Sequence, residues 1–264
     1  MKPSIARAVH ANRGIQARYR RQMLLLIQEM AESVEAQVQL NYRVAPPLPL
    51  IAADASPLRQ MQNRLRELAA HWIKRFDRAA PLIAKAYLKG SFKATDSAMR
   101  QALKDAGWAI KFEMTPAMSE AFEASLAENV GLIKSIPEQY LQQVQGIVMR
   151  SYTRGRDLHT MVKDLKRLYP AASNRASLIA RDQSNKANAV VTQARQLELG
   201  VTEAIWMHSH AGKTPRPTHV AMNGKRYKVA EGMWDSAEQK MIFPGELINC
   251  RCTGRSVLPF SFAK

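Results

Sequence analysis

The residues of this chain most suited to chemistry lie in two clusters toward its C-terminal end. The first, His208-Ser-His-Ala-Gly-Lys-Thr-Pro-Arg-Pro-Thr-His219, carries three histidines, and the second, Asn249-Cys-Arg-Cys252, carries both cysteines of the protein. Zinc prefers four thiolate or imidazole ligands arranged as a tetrahedron. Cys250, Cys252, His219 and His210 are therefore the candidate zinc ligands, and a four-ligand site must include His210 or His208 beside His219.

Other interpretations of these clusters stay open. The Cys-x-Cys spacing differs from that of ordinary zinc fingers, and a disulfide between Cys250 and Cys252 would close a small, strained ring. Buried free thiols packed under a hairpin are the interpretation that we favour over zinc. His219 with Arg216 and a nearby cysteine also suggests a hydrolase, but a nucleophilic cysteine needs a base and a third group that orients it, which the sequence does not show. We predict no catalytic residue and no required cofactor.

The remaining side chains of this region suit a structural role. The planar guanidinium groups of Arg216 and Arg251 can bind backbone carbonyls or carboxylates and so hold loops together. Trp206, Trp234 and Phe243 are expected to form the core of a small C-terminal unit.

The elements that precede the clusters are predicted to be helices. One apolar stripe runs along residues 15–40, through Met23, Ile27, Met30, Val34 and Val38. The proline-rich stretch 44–50 then favours an extended linker. The first helix is therefore either an arm that docks on a partner or the first helix of the core.

Prolines and glycines mark the predicted ends of helices in the rest of the helical region. Ser56 is a predicted N-cap, with Pro57 at the first helical position, and Pro81 should kink or end that helix. Further helices are predicted at 96–106 and 117–130, from Pro137 to Gly155, at 157–168, and from Asn174, capped by Ser173, to Leu199. Gly200 suits the left-handed residue that follows a helix.

The chain after Gly200 changes from helical to β-prone patterns. Residues 201–206 are predicted to form a short strand, and Asn223-Gly224 is a hairpin turn signal with 225–229 as the returning strand. Phe243-Pro-Gly245 is predicted to be another turn. The fold class is therefore mainly α with a small C-terminal α+β unit: an N-terminal helical arm, a multi-helix body and a short module that contains a β-hairpin.

Charge and hydropathy limit the classes of partner. The formal net charge is +17, the first acidic residue is Glu29, and basic residues are also dense between Arg150 and Arg195. This excess favours proximity to a polyanion such as DNA. The apolar run Met23–Ile27 is too short to span a bilayer, and we see no secretion signal. Two cysteines make no disulfide framework, which favours a reducing cytoplasm.

An ordered set of motifs resembles a known family. The segments are Asn129-Val-Gly-Leu-Ile-Lys-Ser-Ile-Pro137, Arg175-Ala-Ser-Leu-Ile-Ala-Arg-Asp-Gln183, Gly200, Trp206, Pro215-Arg-Pro-Thr-His219, Asn223-Gly224, Phe243-Pro-Gly245 and Cys250-Arg-Cys252. In order and spacing they resemble the phage Mu F-like family of head morphogenesis proteins, which includes the SPP1 gp7-like minor head proteins. The resemblance covers residues 129–256. Its structural motif residues here are Trp206, Arg216, His219, Asn223, Gly224, Pro244, Gly245, Cys250, Arg251 and Cys252.

The resemblance implies a domain division. We expect a helical arm at 1–43, a proline-rich linker at 44–57 and a variable helical region at 58–128. The Mu F-like domain follows at 129–256, helical to residue 200 and β-containing from 201, and a tail occupies 257–264.

The resemblance also implies a function: a minor capsid protein of a tailed bacteriophage that is not an enzyme. Such a protein would bind the portal protein inside the head, and also the major capsid or scaffold protein, and would lie near packaged DNA. It would be found in the virion, and in the host cytoplasm during assembly, without membrane association. The alternatives are a DNA-binding protein with a zinc-stabilised C-terminal module and a nuclease that depends on His219.

Overall fold

A computed structural model describes residues 4–44, 57–154, 158–210 and 214–258 of the chain. The elements in chain order are β1 (Ser4–Ile5), α1 (Arg13–Val44), α2 (Pro57–Asp105), α3 (Pro116–Arg154), α4 (Leu158–Lys166), α5 (Leu168–Glu198), β2 (Glu203–Met207), α6 (Pro217–Met222), β3 (Arg226–Lys228), β4 (Met233–Asp235), β5 (Lys240–Ile242) and β6 (Thr253–Leu258). The predicted fold class, mainly α with a small C-terminal α+β unit, is confirmed. Within the described ranges, no helix is both long enough and apolar enough to cross a membrane.

The described residues form two compact units, and the chain passes between them several times. Unit 1 comprises residues 1–17, 85–127 and 180–264, and unit 2 comprises residues 18–84 and 128–179. Helices α1, α2, α3 and α5 each contribute residues to both units. These units are defined by contacts in the structure, whereas the predicted domains are successive stretches of the sequence. The predicted domain division therefore stays a prediction.

Unit 2 is built from helices around an apolar core. The α1 stripe predicted from the sequence, Met23 to Val38, is buried there, with each of its five members at most 1% exposed. Of the two interpretations of this helix, the structure shows the packed one. Tyr19 adds a polar link, because its hydroxyl donates to Asn129 Oδ1 at 2.8 Å and both side chains are buried. Burying a hydrogen-bonded pair avoids the cost of leaving either group without a partner.

Two prolines lie inside long helices where the sequence predicted boundaries. Helix α2 continues through Pro81, and α3 begins at Pro116 and continues through Pro137. A proline in a helix interior removes one backbone hydrogen bond and crowds the preceding turn. Apolar packing offsets that cost in α3, where Ile133, Ile136 and Tyr140 are all buried. The predicted start at Pro137 is therefore wrong, and of the two alternatives at Pro81 the end is wrong while the kink stays a prediction.

Other helix boundaries also differ from the prediction. Helix α5 begins at Leu168, so Ser173 lies inside the helix and does not cap it. Pro170 is accommodated because the first turn of a helix tolerates proline. The predicted cap at Ser56, most of the proline-rich linker and the predicted stop at Gly155 lie outside the described residues.

Unit 1 contains a four-stranded antiparallel sheet in the order β1-β6-β2-β3, and β4 and β5 form a separate two-stranded ribbon. The central pair aligns Glu203 with Val257 and Met207 with Thr253. Helix α5 is fixed to the sheet by Gln196, whose Nε2 donates to Ser256 Oγ at 2.9 Å. The core of the unit surrounds Trp206 and includes Met99, Leu103, Tyr227, Ile242 and Leu258.

The predicted hairpin is partly correct. Strands β2 and β3 pair as antiparallel neighbours, with Ala204 opposite Tyr227. They are not joined by a two-residue turn, because α6 stands between them. Gly224 adopts φ of 78°, which glycine accepts readily, and turns the chain from α6 into β3. Gly200, with φ of 68°, ends α5 in the left-handed conformation that the sequence predicted.

Candidate metal centre

Helix α6 positions His219, the last histidine of the first sequence cluster. Pro217 occupies its first turn, where the missing backbone N–H costs nothing, and Arg216 before it is extended, with φ −70° and ψ 125°. The short helix turns the His219 side chain inward, so that the residue is 2% exposed. The Gly224 N–H donates to Trp206 O at 2.8 Å and holds the end of this segment against β2.

Three side chains converge in the interior of unit 1. His219 Nδ1 lies 3.5 Å from Cys250 Sγ and 3.6 Å from Cys252 Sγ. All three ligand atoms lie within 4.8 Å of one another, and all three residues are buried. Both cysteines are free thiols. The structure therefore brings together three of the four sequence-predicted zinc ligands.

A buried carboxylate stands on the other side of the His219 ring. Asp235 Oδ2 lies 3.3 Å from His219 Nε2, and Asp235 is fully buried. Nε2 is not aligned for a hydrogen bond with any group in the described ranges, so the contact is an electrostatic one. Asp235 favours the tautomer with the proton on Nε2, which leaves a lone pair on Nδ1 facing the sulfur atoms.

Asp235 is itself held by several donors. Its carboxylate accepts hydrogen bonds from the Thr218 hydroxyl at 3.1 Å and from the backbone N–H groups of Ala237 at 2.8 Å and Glu238 at 3.4 Å. Burial by itself would raise the pKa of Asp235, but these hydrogen bonds and the nearby His219 outweigh burial and lower it. The carboxylate is therefore ionised at neutral pH and can orient the imidazole.

The two thiols affect each other's protonation. A hydrogen bond from Cys252 is the largest influence that lowers the pKa of Cys250, and His219 and the Gly245 N–H, 3.4 Å from the sulfur, add to it. The same hydrogen bond raises the pKa of Cys252, and burial raises it further. The pair thus gives up its first proton more readily than an ordinary cysteine does.

The other histidines of the first cluster lie beside the trio formed by His219, Cys250 and Cys252. His208 follows β2, and its backbone N–H donates to Asn223 Oδ1 at 2.9 Å. Burial lowers the pKa of His208, and the neighbouring imidazoles of His210 and His219 lower it further because they disfavour an additional positive charge there. His210, the fourth predicted ligand, is exposed and packs edge-on against the His208 ring, with centroids 4.5 Å apart. His210 is not part of the three-residue group, so its role as a ligand stays a prediction.

Loops that carry the motif residues are tied together around the trio. Arg216 Nη1 donates to the Ile248 carbonyl at 3.1 Å, the kind of contact expected from its planar guanidinium. Gly245 adopts φ of 87°, and a Cβ there would lie 2.9 Å from the Ala189 Cβ. Glycine is therefore required at this turn for both its backbone conformation and its small size. Arg251 lines a nearby cleft.

Two carboxylates of the site were not found from the sequence. Asp235 supports His219, and Asp182 Oδ1 accepts the Asn249 N–H at 2.8 Å, next to Cys250. Neither residue has a spacing relative to the histidines or cysteines that would mark it, because distant elements bring it to the site. The prediction for Trp234 was wrong: it is 54% exposed on β4, whereas Trp206 is fully buried as expected.

Comparison with known proteins supports the resemblance in the motifs. Residues 142–255 match the family model described as phage Mu protein F like protein. The matched segment, which contains His219, Cys250 and Cys252, is therefore similar to the phage Mu F-like family.

One curated relative is an uncharacterized protein of Haemophilus influenzae that is 38% identical over 147 residues. The match covers 54% of this chain but 31% of the relative, so the chain spans about a third of that protein's length. No solved structure matches the chain.

Proposed function

We propose that this protein is a minor capsid protein of a tailed bacteriophage, which binds at the portal vertex inside the head and acts in head assembly and in DNA packaging or ejection. The observation that carries the proposal is the match of residues 142–255 to the phage Mu F-like family. The proposed location is the virion, near the portal, with the host cytoplasm as the site of assembly.

The geometry of the His219 cluster supports binding rather than catalysis. A hydrolytic site must admit water and substrate to its nucleophile or general base. His219, Cys250 and Cys252 are only 2%, 3% and 4% exposed, and both ring nitrogens of His219 face neighbouring side chains. A nuclease that depends on His219 would need this site to open, so we retain the non-enzymatic proposal.

An apolar pair on the β4–β5 ribbon is a suitable contact for a protein partner. Trp234 and Met241 lie opposite each other across the two strands, and they are 54% and 42% exposed. Ile248 is also exposed, at 60%. Large exposed aromatic and methionine side chains are enriched at protein interfaces, where tryptophan often contributes most of the binding free energy. We assign this surface to the portal protein, with the major capsid or scaffold protein as further partners.

The test is co-assembly with the portal protein. We expect the full chain, co-expressed with the portal, scaffold and major capsid proteins of the same phage, to co-sediment with proheads and to co-purify with the portal protein alone. Trp234→Ser should weaken the association by at least tenfold and leave the unfolding temperature unchanged, because this side chain is exposed. Leu82→Ser, which changes a side chain that is 71% exposed in unit 2, is the matched control.

No association of the wild-type chain with portal or prohead, under conditions in which heads assemble, would overturn the proposal. DNA binding without head association would instead support the stand-alone DNA-binding alternative. If both variants bind the portal like the wild type, the assignment of the Trp234 surface is wrong while the proposed function stands.

DNA contact is proposed for a basic cleft of about 450 Å³ in unit 1. His10, Arg13, Arg181 and Arg251 line it together with Cys252 and several amide and hydroxyl side chains, and no aspartate or glutamate is among the described residues of its lining. Guanidinium and amide donors bind phosphate oxygens without reading base sequence. Together with the net charge of +17, this cleft supports contact with packaged DNA through its backbone.

A further inference from the structure

We propose that His219, Cys250 and Cys252 bind one zinc ion that stabilises unit 1. The proposal rests on the arrangement of these three side chains and does not depend on the function proposed above. It assigns the two cysteines a role that packing as free thiols does not supply.

The distances are those of zinc ligands. With Zn–S of about 2.3 Å and Zn–N of about 2.0–2.1 Å, sulfur and nitrogen ligands at a tetrahedral angle lie about 3.6 Å apart. The two N···S distances are 3.5 and 3.6 Å. Thiolate and imidazole are also the ligand types that zinc prefers in proteins, whereas magnesium and calcium prefer oxygen. The trio supplies three positions of a tetrahedron, and no further histidine, cysteine or carboxylate among the described residues joins this group.

Hydrogen bonds from the thiols to His219 do not by themselves account for both N···S contacts. In the tautomer favoured by Asp235, His219 Nδ1 has a single lone pair and can accept one S–H donor. Two sulfur atoms nevertheless lie at nearly equal distances from this nitrogen. A shared cation accounts for both contacts at once, because each of the three atoms can supply it with a lone pair.

The surrounding groups match the outer sphere of a zinc site. Metal-bound histidines commonly direct their other ring nitrogen to a carboxylate, which orients the ring and increases its basicity. Asp235 stands in this position, 3.3 Å from Nε2, and is fixed by Thr218 and by two backbone N–H groups. The Gly245 N–H points at Cys250 Sγ from 3.4 Å and would offset part of the charge of a bound thiolate.

Binding is balanced by proton release. Zinc enters as the hydrated divalent ion, both cysteines bind as thiolates, and His219 coordinates as a neutral imidazole; any proton still carried by a thiol is released to solvent. The thiolates and the imidazole replace water molecules on the ion, and no oxidant or reductant is required.

The first experiment measures zinc in the full chain, produced without a histidine tag and purified without chelators. We expect about one zinc per chain by elemental analysis, and loss of the metal with a lower unfolding temperature after chelation. Cys252→Ser and His219→Gln should each lose most of the zinc. His71→Gln, an exposed histidine in unit 2, is the matched control and should retain it.

The second experiment keeps the proposal testable if those variants fail to fold. Metal-free wild-type protein is titrated with Co²⁺, which replaces zinc and reports its ligands by absorption. We expect a thiolate-to-cobalt charge-transfer band and the intense visible bands of a tetrahedral ion, saturating at about one equivalent. Fewer than about 0.2 zinc per chain, together with a Co²⁺ spectrum that lacks the thiolate band, would overturn the proposal in favour of buried free thiols.

Discussion

One buried arginine, Arg195, makes hydrogen bonds to several parts of unit 1. Arg195 is 1% exposed and donates to both carboxylate oxygens of Asp96 at 2.9 Å, to Glu198 at 2.7 Å and to the Glu113 carbonyl at 2.7 Å. Its guanidinium also lies 4.6 Å from the Phe112 ring centroid. The hydrogen bonds to Asp96 raise the pKa of Arg195 and outweigh the opposing effect of burial.

We predict that Arg195→Met lowers the free energy of unfolding by about 3–5 kcal/mol, because Asp96 then loses its partner in a partly buried place. Arg195→Lys should restore little of the lost free energy of unfolding, since an ammonium group cannot make the paired hydrogen bonds to the Asp96 carboxylate. Chemical denaturation of the full chain measures both. Arg226→Met removes the exposed ion pair with Glu203 and should cost no more than about 1 kcal/mol. Equal losses at both positions would contradict this account.

The sequence could not reveal this role for Arg195. Arg195 ends the stretch from Arg150 in which basic residues are dense, and exposure is the usual expectation for such residues. Its partner Asp96 is 99 positions away in the chain. The spacing of apolar residues shows which face of a helix is apolar. It does not show that a carboxylate on another helix will pair with an arginine and allow it to be buried.

The elements themselves were predictable wherever one local signal determined them. Gly200 and Gly224 have the positive φ values that their neighbours indicated, and the apolar stripe of α1 is buried as its spacing predicted. The helices do not end at Pro81 or start at Pro137, because a proline inside a helix costs about 3 kcal/mol and the packing of a long helix can offset that. The trio of His219, Cys250 and Cys252 was predictable from residue type, whereas Asp235 could be assigned to the site only from the structure.

Helix α2 allows a direct test of the cost of its internal proline. Pro81 is exposed, so replacing it should change the backbone more than the packing. Pro81→Ala is expected to restore a backbone hydrogen bond and stabilise the protein by about 1–3 kcal/mol. Thermal unfolding of the full chain gives the value. Leu82→Ala, at the next exposed position, should change stability by less than about 0.5 kcal/mol.

A lower unfolding temperature in Pro81→Ala would contradict that expectation. It would show that the proline ring makes contacts, or fixes a bend, that α2 needs. The sign of the change therefore separates a tolerated proline from a required one.

For the whole molecule, the dominant property is positive charge. The chain has 39 lysine and arginine residues against 22 aspartate and glutamate residues. Most of the ion pairs in the described ranges join exposed side chains, such as Arg64 with Glu67 and Lys228 with Glu231. Such pairs contribute little to stability, so the charge excess chiefly affects association with other charged molecules.

We predict that the protein binds duplex DNA with little sequence preference and with an affinity that falls steeply with salt. Arg13→Gln in the basic cleft should weaken binding and reduce the slope of log affinity against log salt by about one. Fluorescence anisotropy with two unrelated duplexes, at several salt concentrations, measures both effects. Arg64→Gln, in an exposed ion pair in unit 2, is the comparison. Salt-insensitive binding would exclude a backbone contact.

The pairing of β1 with β6 sets the order in which unit 1 can form during synthesis. Arg255, in β6, donates to the Ala6 carbonyl across 249 positions of sequence, and Ser4 pairs with Leu258. A nascent chain emerging from the ribosome therefore holds β1 and one side of β2 without their strand partner until β6 is made. Cys252 emerges just before that strand, so the sheet closes and His219, Cys250 and Cys252 come together only after β6 is made, and termination before β6 would prevent both.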